Sequence, residues 1–191
     1  MEENKNVLSN KKNAIIGLVA VIAIVLVAVL LVKLIGPSPA KTVKKFAKYM
    51  NKGEISKAFD LVDMESMYVL MDMDEDDYED YAEELKEFKD DEDEYEDYEE
   101  GMEDFEENIE DLEEEFSDLD EYKFEVKEVK STKKEGKNIW KVKAKVKIVM
   151  ESEYDEVDET ETLEFYVIKK GLKYYVAGGD GLMTAFAGMY Y

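Results

Sequence analysis

The chain has 191 residues, 49 of them acidic against 25 basic, and every basic residue is lysine, so its formal net charge is −24. That charge excludes an ordinary nucleic-acid binder, whose affinity comes from neutralising phosphates. The sequence holds no cysteine, histidine or arginine, which removes disulfides, thiol and imidazole catalysis and the usual zinc ligands together.

Nineteen consecutive residues, Ala14 to Val32, carry no charged or polar side chain, and Leu34 and Ile35 extend the run past Lys33. At ~1.5 Å per residue, roughly twenty residues cross the ~30 Å hydrocarbon core of a bilayer, so a transmembrane helix is expected over 14–35. Apolar side chains all round leave no polar stripe for an interfacial helix. A cleaved secretory signal competes for the same residues, since Ser38-Pro39-Ala40 offers small side chains to a peptidase, but signal cores run only about 7–15 residues. Lysines flank both ends of the run. Because long C-terminal domains translocate largely regardless of charge, the expectation is an uncleaved signal anchor in the cell membrane, with residues 1–13 cytoplasmic and 41–191 an extracytoplasmic domain.

Residues 36–40 form the linker, where Gly36-Pro37-Ser38-Pro39 holds both prolines of the chain and disfavours continuation of the preceding helix. Ser38 can cap a new helix with Pro39 in its first turn, and Val43, Phe46, Ala47 and Met50 then share one face. Asn51-Lys52-Gly53 ends it, and Ile55, Ala58, Phe59 and Val62 repeat the pattern in a second, shorter helix.

Residues 72–121 form a separate block in which 31 of 50 side chains are Asp or Glu, opposed only by Lys86 and Lys89. Its net charge is −29, so the other 141 residues sum to +5. Such composition usually means disorder. Here, however, Tyr98, Met102, Phe105, Ile109, Leu112, Phe116 and Leu119 recur at alternating steps of four and three, and Tyr78, Tyr81, Leu85 and Phe88 follow a similar rule upstream. This heptad spacing predicts helix, as two segments or one irregular one. It also offers a seam through which a second copy could pair.

From Tyr122 the period becomes two. Tyr122, Phe124 and Val126 alternate with charged residues; Trp140, Val142, Ala144, Val146 and Ile148 alternate with Lys141, Lys143, Lys145 and Lys147; Leu163, Phe165 and Val167 continue the pattern. With a loop at Lys133 to Lys137 and a turn at Lys169-Lys170-Gly171 leading to Tyr174–Ala177, four antiparallel strands are predicted. The fold class is α+β: helices packed on a curved antiparallel sheet, with an inserted acidic helical segment.

The stretch from Thr42 through Phe46-Ala47-Lys48-Tyr49-Met50-Asn51-Lys52-Gly53-Glu54 to Lys57-Ala58-Phe59-Asp60-Leu61-Val62-Asp63 resembles the opening helix pair of small membrane-anchored extracytoplasmic proteins of low-GC Gram-positive bacteria. The closing hairpin Phe165 to Val176 is similar to the end of the same family. The resemblance implies a cone similar to nuclear transport factor two, of the cystatin-like type, with the acidic block as an insertion. Ketosteroid isomerases with this fold use an acidic base with tyrosine and protonated carboxyl donors, but no local motif carries those roles onto positions here. Many anchored relatives have no assigned activity.

Asp72, Asp74, Asp76, Asp80 and Glu83 match positions 1, 3, 5, 9 and 12 of a calcium-loop template, but position 6 is Asp77 where the loop needs glycine for its sharp turn. Diffuse binding of divalent cations is expected before a built calcium loop. With 49 acids in the chain, a pair of carboxylates identifies no glycosidase site. No catalytic residue or cofactor is therefore expected. The expected role is a membrane-anchored binding or accessory domain that is not an enzyme. Its competitors are an acidic arm capturing divalent cations or a basic protein, and a cone holding a small apolar ligand. The lysine row at 141, 143, 145 and 147 is read as a solvent-facing strand surface that the acidic block could partly cover.

Overall fold

The computed structural model describes residues 36–117, 121–151 and 156–187. The expected transmembrane segment 14–35 lies outside them, and no helix among the described residues is long and apolar enough to cross a membrane. The described residues from Pro37 onward form one compact unit.

The first helix, α1 (Pro39–Met50), starts where the sequence places it: Ser38 accepts a hydrogen bond from the Lys41 amide, and Pro39 occupies the first turn. Val43, Phe46, Ala47 and Met50 are buried along one face. Asn51 closes the helix and its side chain accepts from the Phe124 amide at 3.3 Å, tying the end of α1 to the first strand. Gly53, with φ of 66°, turns the chain into α2 (Ile55–Phe59). Leu61 to Asp63 then run beside the last strand, with backbone bonds of 2.8 Å on either side of Val176. Val62 thus belongs to this bridge and not to the second helix, which ends at Phe59.

Two elements escape the periodicity. Helix α3 (Met64–Asp72) is capped by Asp63, which accepts from the Ser66 amide, and α6 (Asp180–Ala187) closes the chain. Between them lie a 3-10 turn (Glu75–Asp77), α4 (Tyr81–Asp90) and α5 (Glu92–Ser117). The acidic block therefore holds two helices, broken at Asp91. Asp91 leaves helical geometry at ψ of 101° and caps α5 by accepting from the Glu94 amide at 3.1 Å. Gly101 sits within α5 with open space around it.

Strands β1 (Glu121–Lys134), β2 (Ile139–Glu151), β3 (Glu156–Lys170) and β4 (Lys173–Gly178) form an antiparallel meander in the order β1-β2-β3-β4. Its inner face carries Phe124, Val142, Ala144, Val146, Phe165 and Val176 against α1, α2 and α6. Edge-on contacts link Phe124 to Phe46 at 6.5 Å and to Phe165 at 6.4 Å. A second cluster occupies part of the outer face: Ile139, Ile168 and Ala177 meet Val69, Leu70, Tyr78, Tyr81 and Phe88. Of the heptad residues, Tyr98 packs on this outer cluster and Ile109 on the inner one. The side chains of Phe105, Leu112, Phe116 and Leu119 lie outside the description.

Candidate functional site

The outer layer is where the acidic segment meets the sheet, and it is built around one buried ammonium. Strand alternation sends Lys141 outward with Lys143, Lys145 and Lys147, yet Lys141 is only 8% exposed. Both Glu75 carboxylate oxygens accept from its Nζ, Glu164 lies 3.3 Å away, and the Tyr166 ring centroid is 5.4 Å off. Tyr166 donates to Glu75 as well and packs edge-on against Tyr78 at 5.2 Å. Two bonds to one carboxylate fix the 3-10 turn on β2 and β3.

Hydrogen bonds from Lys141 and then Tyr166 hold Glu75 below its ordinary value of 4.5. Burial pushes the Lys141 ammonium down, but its bonds to Glu75 and Glu164 outweigh that and leave it above its usual value of 10.5. Burial first, and then the Glu75 carboxylate, push the Tyr166 hydroxyl up. A carboxylate depressed in the folded state contributes stability that is complete above its unfolded value and disappears as pH falls through its folded one. Glu75→Gln, which keeps the shape but removes the charge, is expected to cost on the order of 1 kcal/mol at pH 7, because Glu75 is itself half exposed. Urea midpoints of both proteins should converge as pH drops below 4.5; a gap unchanged down to pH ~2 would show that the charge does not hold the turn.

A second ionic group sits beside it. Lys170 pairs with Asp63 and with Glu65 at 3.3 Å, and Lys89 of α4 reaches Glu65 at 2.8 Å. Ser66, fully buried, shares a 2.5 Å hydrogen bond with Tyr81. Farther along α5, Glu113 accepts from both the amide and the hydroxyl of Ser56 at 2.7 Å, clasping the helix to α2. These bonds hold Glu113 below the usual carboxylate range.

The expected cover of the lysine row is thus confined to its first member. Lys143 pairs with Glu164 of β3, and Lys147 with Asp158 at 3.1 Å, both strand neighbours; Lys145 is exposed. The calcium-template residues do not converge. Asp72 ends α3, Asp74 precedes the 3-10 turn and Asp76 lies in it, and Asp80 precedes α4 with Glu83 in its first turn. Among the described residues no three carboxylates are placed to hold one ion.

A different acidic feature forms instead. Between α3, α4 and the start of α5 lies a cleft of about 280 Å³, edged by Asp72, Glu84, Glu87, Asp91 and Glu94 and lined by Tyr68 and Phe88. The two rings lie 5.0 Å apart. Burial and the Glu94 carboxylate push the Tyr68 hydroxyl up. No lysine lines the cleft. Over the stretch Glu92–Glu103, no lysine among the described residues forms an ion pair. Carboxylates around aromatic faces suit a cation with an apolar stem, such as a lysine side chain. Sequence reasoning missed this grouping because the five acids come from three elements and look like any others in a block that is mostly acid.

The inner face bears on the small-ligand alternative. Phe46, Met50, Ile55, Phe124 and Phe165 are fully buried there, and an added Cβ on Gly181 would stand 2.4 Å from the Phe165 ring. An apolar ligand in that position would have to displace close-packed side chains. Comparison with protein-family models, with curated proteins and with solved structures finds no match to this chain.

Proposed function

We propose that the chain is a single-pass membrane protein whose extracytoplasmic domain is a binding module without catalysis of its own, and that it captures a lysine-rich segment of a partner protein. The observation that carries this reading is the acidic cleft over Tyr68 and Phe88. Five carboxylates there surround the exposed Tyr68 ring, which lies over the buried Phe88, and no lysine stands in the lining to neutralise them. Like charges at i,i+4 weaken a helix by roughly 0.2–0.5 kcal/mol per pair, so a row of unneutralised acids costs stability that a basic partner would return. The nineteen-residue apolar run supports the anchor. The same reading takes the domain as similar to the nuclear-transport-factor-two cone, with residues 72–121 inserted; helices followed by a four-stranded antiparallel meander support it.

The test is binding of a lysine-rich peptide to the full chain in detergent micelles. Changing Glu84 and Glu87 together to Gln should weaken binding about tenfold, and Tyr68→Ala a further several-fold. Neutralising Glu99 and Glu103, which lie on α5 outside the cleft lining, should change affinity far less. Affinity should fall with salt in all of them. Equal losses from both pairs would mean that net charge alone attracts the peptide and that the cleft is not the site.

A further inference from the structure

We infer that the hairpin end of the sheet rests on the surface of an anionic bilayer, with Leu172 entering its headgroup boundary. This rests on the membrane anchor proposed above.

The β1–β2 loop and the β3–β4 turn lie at one end of the sheet, joined by a 2.9 Å hydrogen bond from the Lys169 amide to the Asn138 carbonyl. At the tip of the second hairpin Leu172 is 85% exposed, the most exposed of the large apolar side chains described. Lysines surround it. Lys134 stands over the Trp140 ring at 5.8 Å and Lys169 over the Tyr174 ring at 5.7 Å, and these two rings meet edge-on at 5.3 Å. Lys137 and Lys173 are exposed in the loop and at the start of β4. Among the described residues, none of these four lysines has a carboxylate at ion-pair distance, whereas Lys133 pairs with Glu135 and Lys170 with Asp63. An exposed leucine between unpaired lysines and half-buried aromatic rings is the composition that settles at a lipid interface.

Two further observations select a bilayer as the occupant. First, the chain reaches the domain at this end: a cleft of about 530 Å³ brings Pro37 together with Lys45, Lys173 and Tyr174. The apolar run stops at Ile35 and α1 begins at Pro39. Four residue steps extend at most about 14 Å, which bounds the chain between the run and α1. Second, the lysines and rings at this end share one face. Strand alternation and register put Lys134, Trp140, Lys169 and Tyr174 on the helix-bearing inner face, whereas the residues of the acidic segment around Tyr78, Tyr81 and Phe88 pack on the outer one. Asp60 is the one acid lining the cleft.

The chain lacks cysteine, so Leu172→Cys and, as a control at the opposite end of β3, Glu159→Cys each give a single site for a fluorophore. The full-length proteins would be reconstituted in vesicles of phosphatidylcholine with or without about 30% phosphatidylglycerol, and quenching by a nitroxide lipid read. The label at 172 should be quenched at least about fivefold more than that at 159 in anionic vesicles, since each lysine near such a surface contributes roughly a fivefold preference. Replacing Lys134, Lys137, Lys169 and Lys173 with Gln should abolish the difference. A chain that floats with the vesicles while both labels stay equally weakly quenched overturns this inference alone. A chain that does not float with them overturns the anchor and this inference together. Shielding at 172 that grows with protein-to-lipid ratio and ignores phosphatidylglycerol would assign this end to a second copy and overturn the lipid surface.

Discussion

Phe165→Ala is expected to lower the unfolding free energy by about 3–5 kcal/mol, enough to consume a large part of the stability of a domain this size. Phe165 is fully buried on the inner face. Its register partner is Val142, its ring meets Phe124 edge-on, and α6 presses Gly181 against the ring. Glycine is required at 181 because any Cβ would overlap that ring. The converse also holds: once the ring is gone, neither Gly181 nor the strand backbone can move in to fill the space. Cavity cost therefore adds to lost transfer energy. The urea midpoint should fall with its slope unchanged, while Leu172→Ala at the exposed tip should shift stability by no more than ~0.5 kcal/mol. A loss below about 1 kcal/mol for Phe165→Ala would mean that the inner face is not closed in solution.

Lys141→Glu is expected to cost about 3 kcal/mol or more at pH 7 and to release the acidic segment from the sheet. The change sets a third carboxylate among Glu75 and Glu164 at a position with 10% side-chain exposure. Removing the ammonium alone is milder: Lys141→Met leaves Glu164 on Lys143 and lets Glu75 turn to water, so about 1–2 kcal/mol is expected. Three clustered carboxylates bind protons more readily folded than unfolded, so the Lys141→Glu deficit should shrink as pH falls below ~4. Amide exchange should accelerate at residues 73–81 and at Ile139 and Ile168, which the segment covers, before it does so at Phe46 or Phe124. Equal stability of the two variants would show that packing of Tyr78 on Tyr166, and not charge, holds the layer in place.

Most local elements were legible in the sequence because each rests on near neighbours. The Ser38-Pro39 start of α1, its apolar face, the Lys169-Lys170-Gly171 turn with Gly171 at φ of 62°, and the alternation of β2 all depend on residues within a few positions of one another. The heptads likewise foretold helix in a segment whose composition argues for disorder. Helix α6 was missed although Leu182, Ala185 and Phe186 have helical spacing, because two glycines at 179 and 181 look like a loop until Phe165 is seen filling the space they leave.

What the sequence alone determined is the charge division, the apolar run, and the order of helices followed by alternating strands. The tertiary structure decided which acids matter. Among 31 in the acidic block, Glu75 reaches Lys141 across 66 positions, and Glu113 reaches Ser56 across 57. No periodicity can select them, because helical and strand spacing encode only which face a residue occupies. Which partner stands opposite depends on how separate elements pack. The same holds for the acidic cleft and for the lysine-rich hairpin end, where residues distant in sequence share one surface only once β1 to β4 are in register.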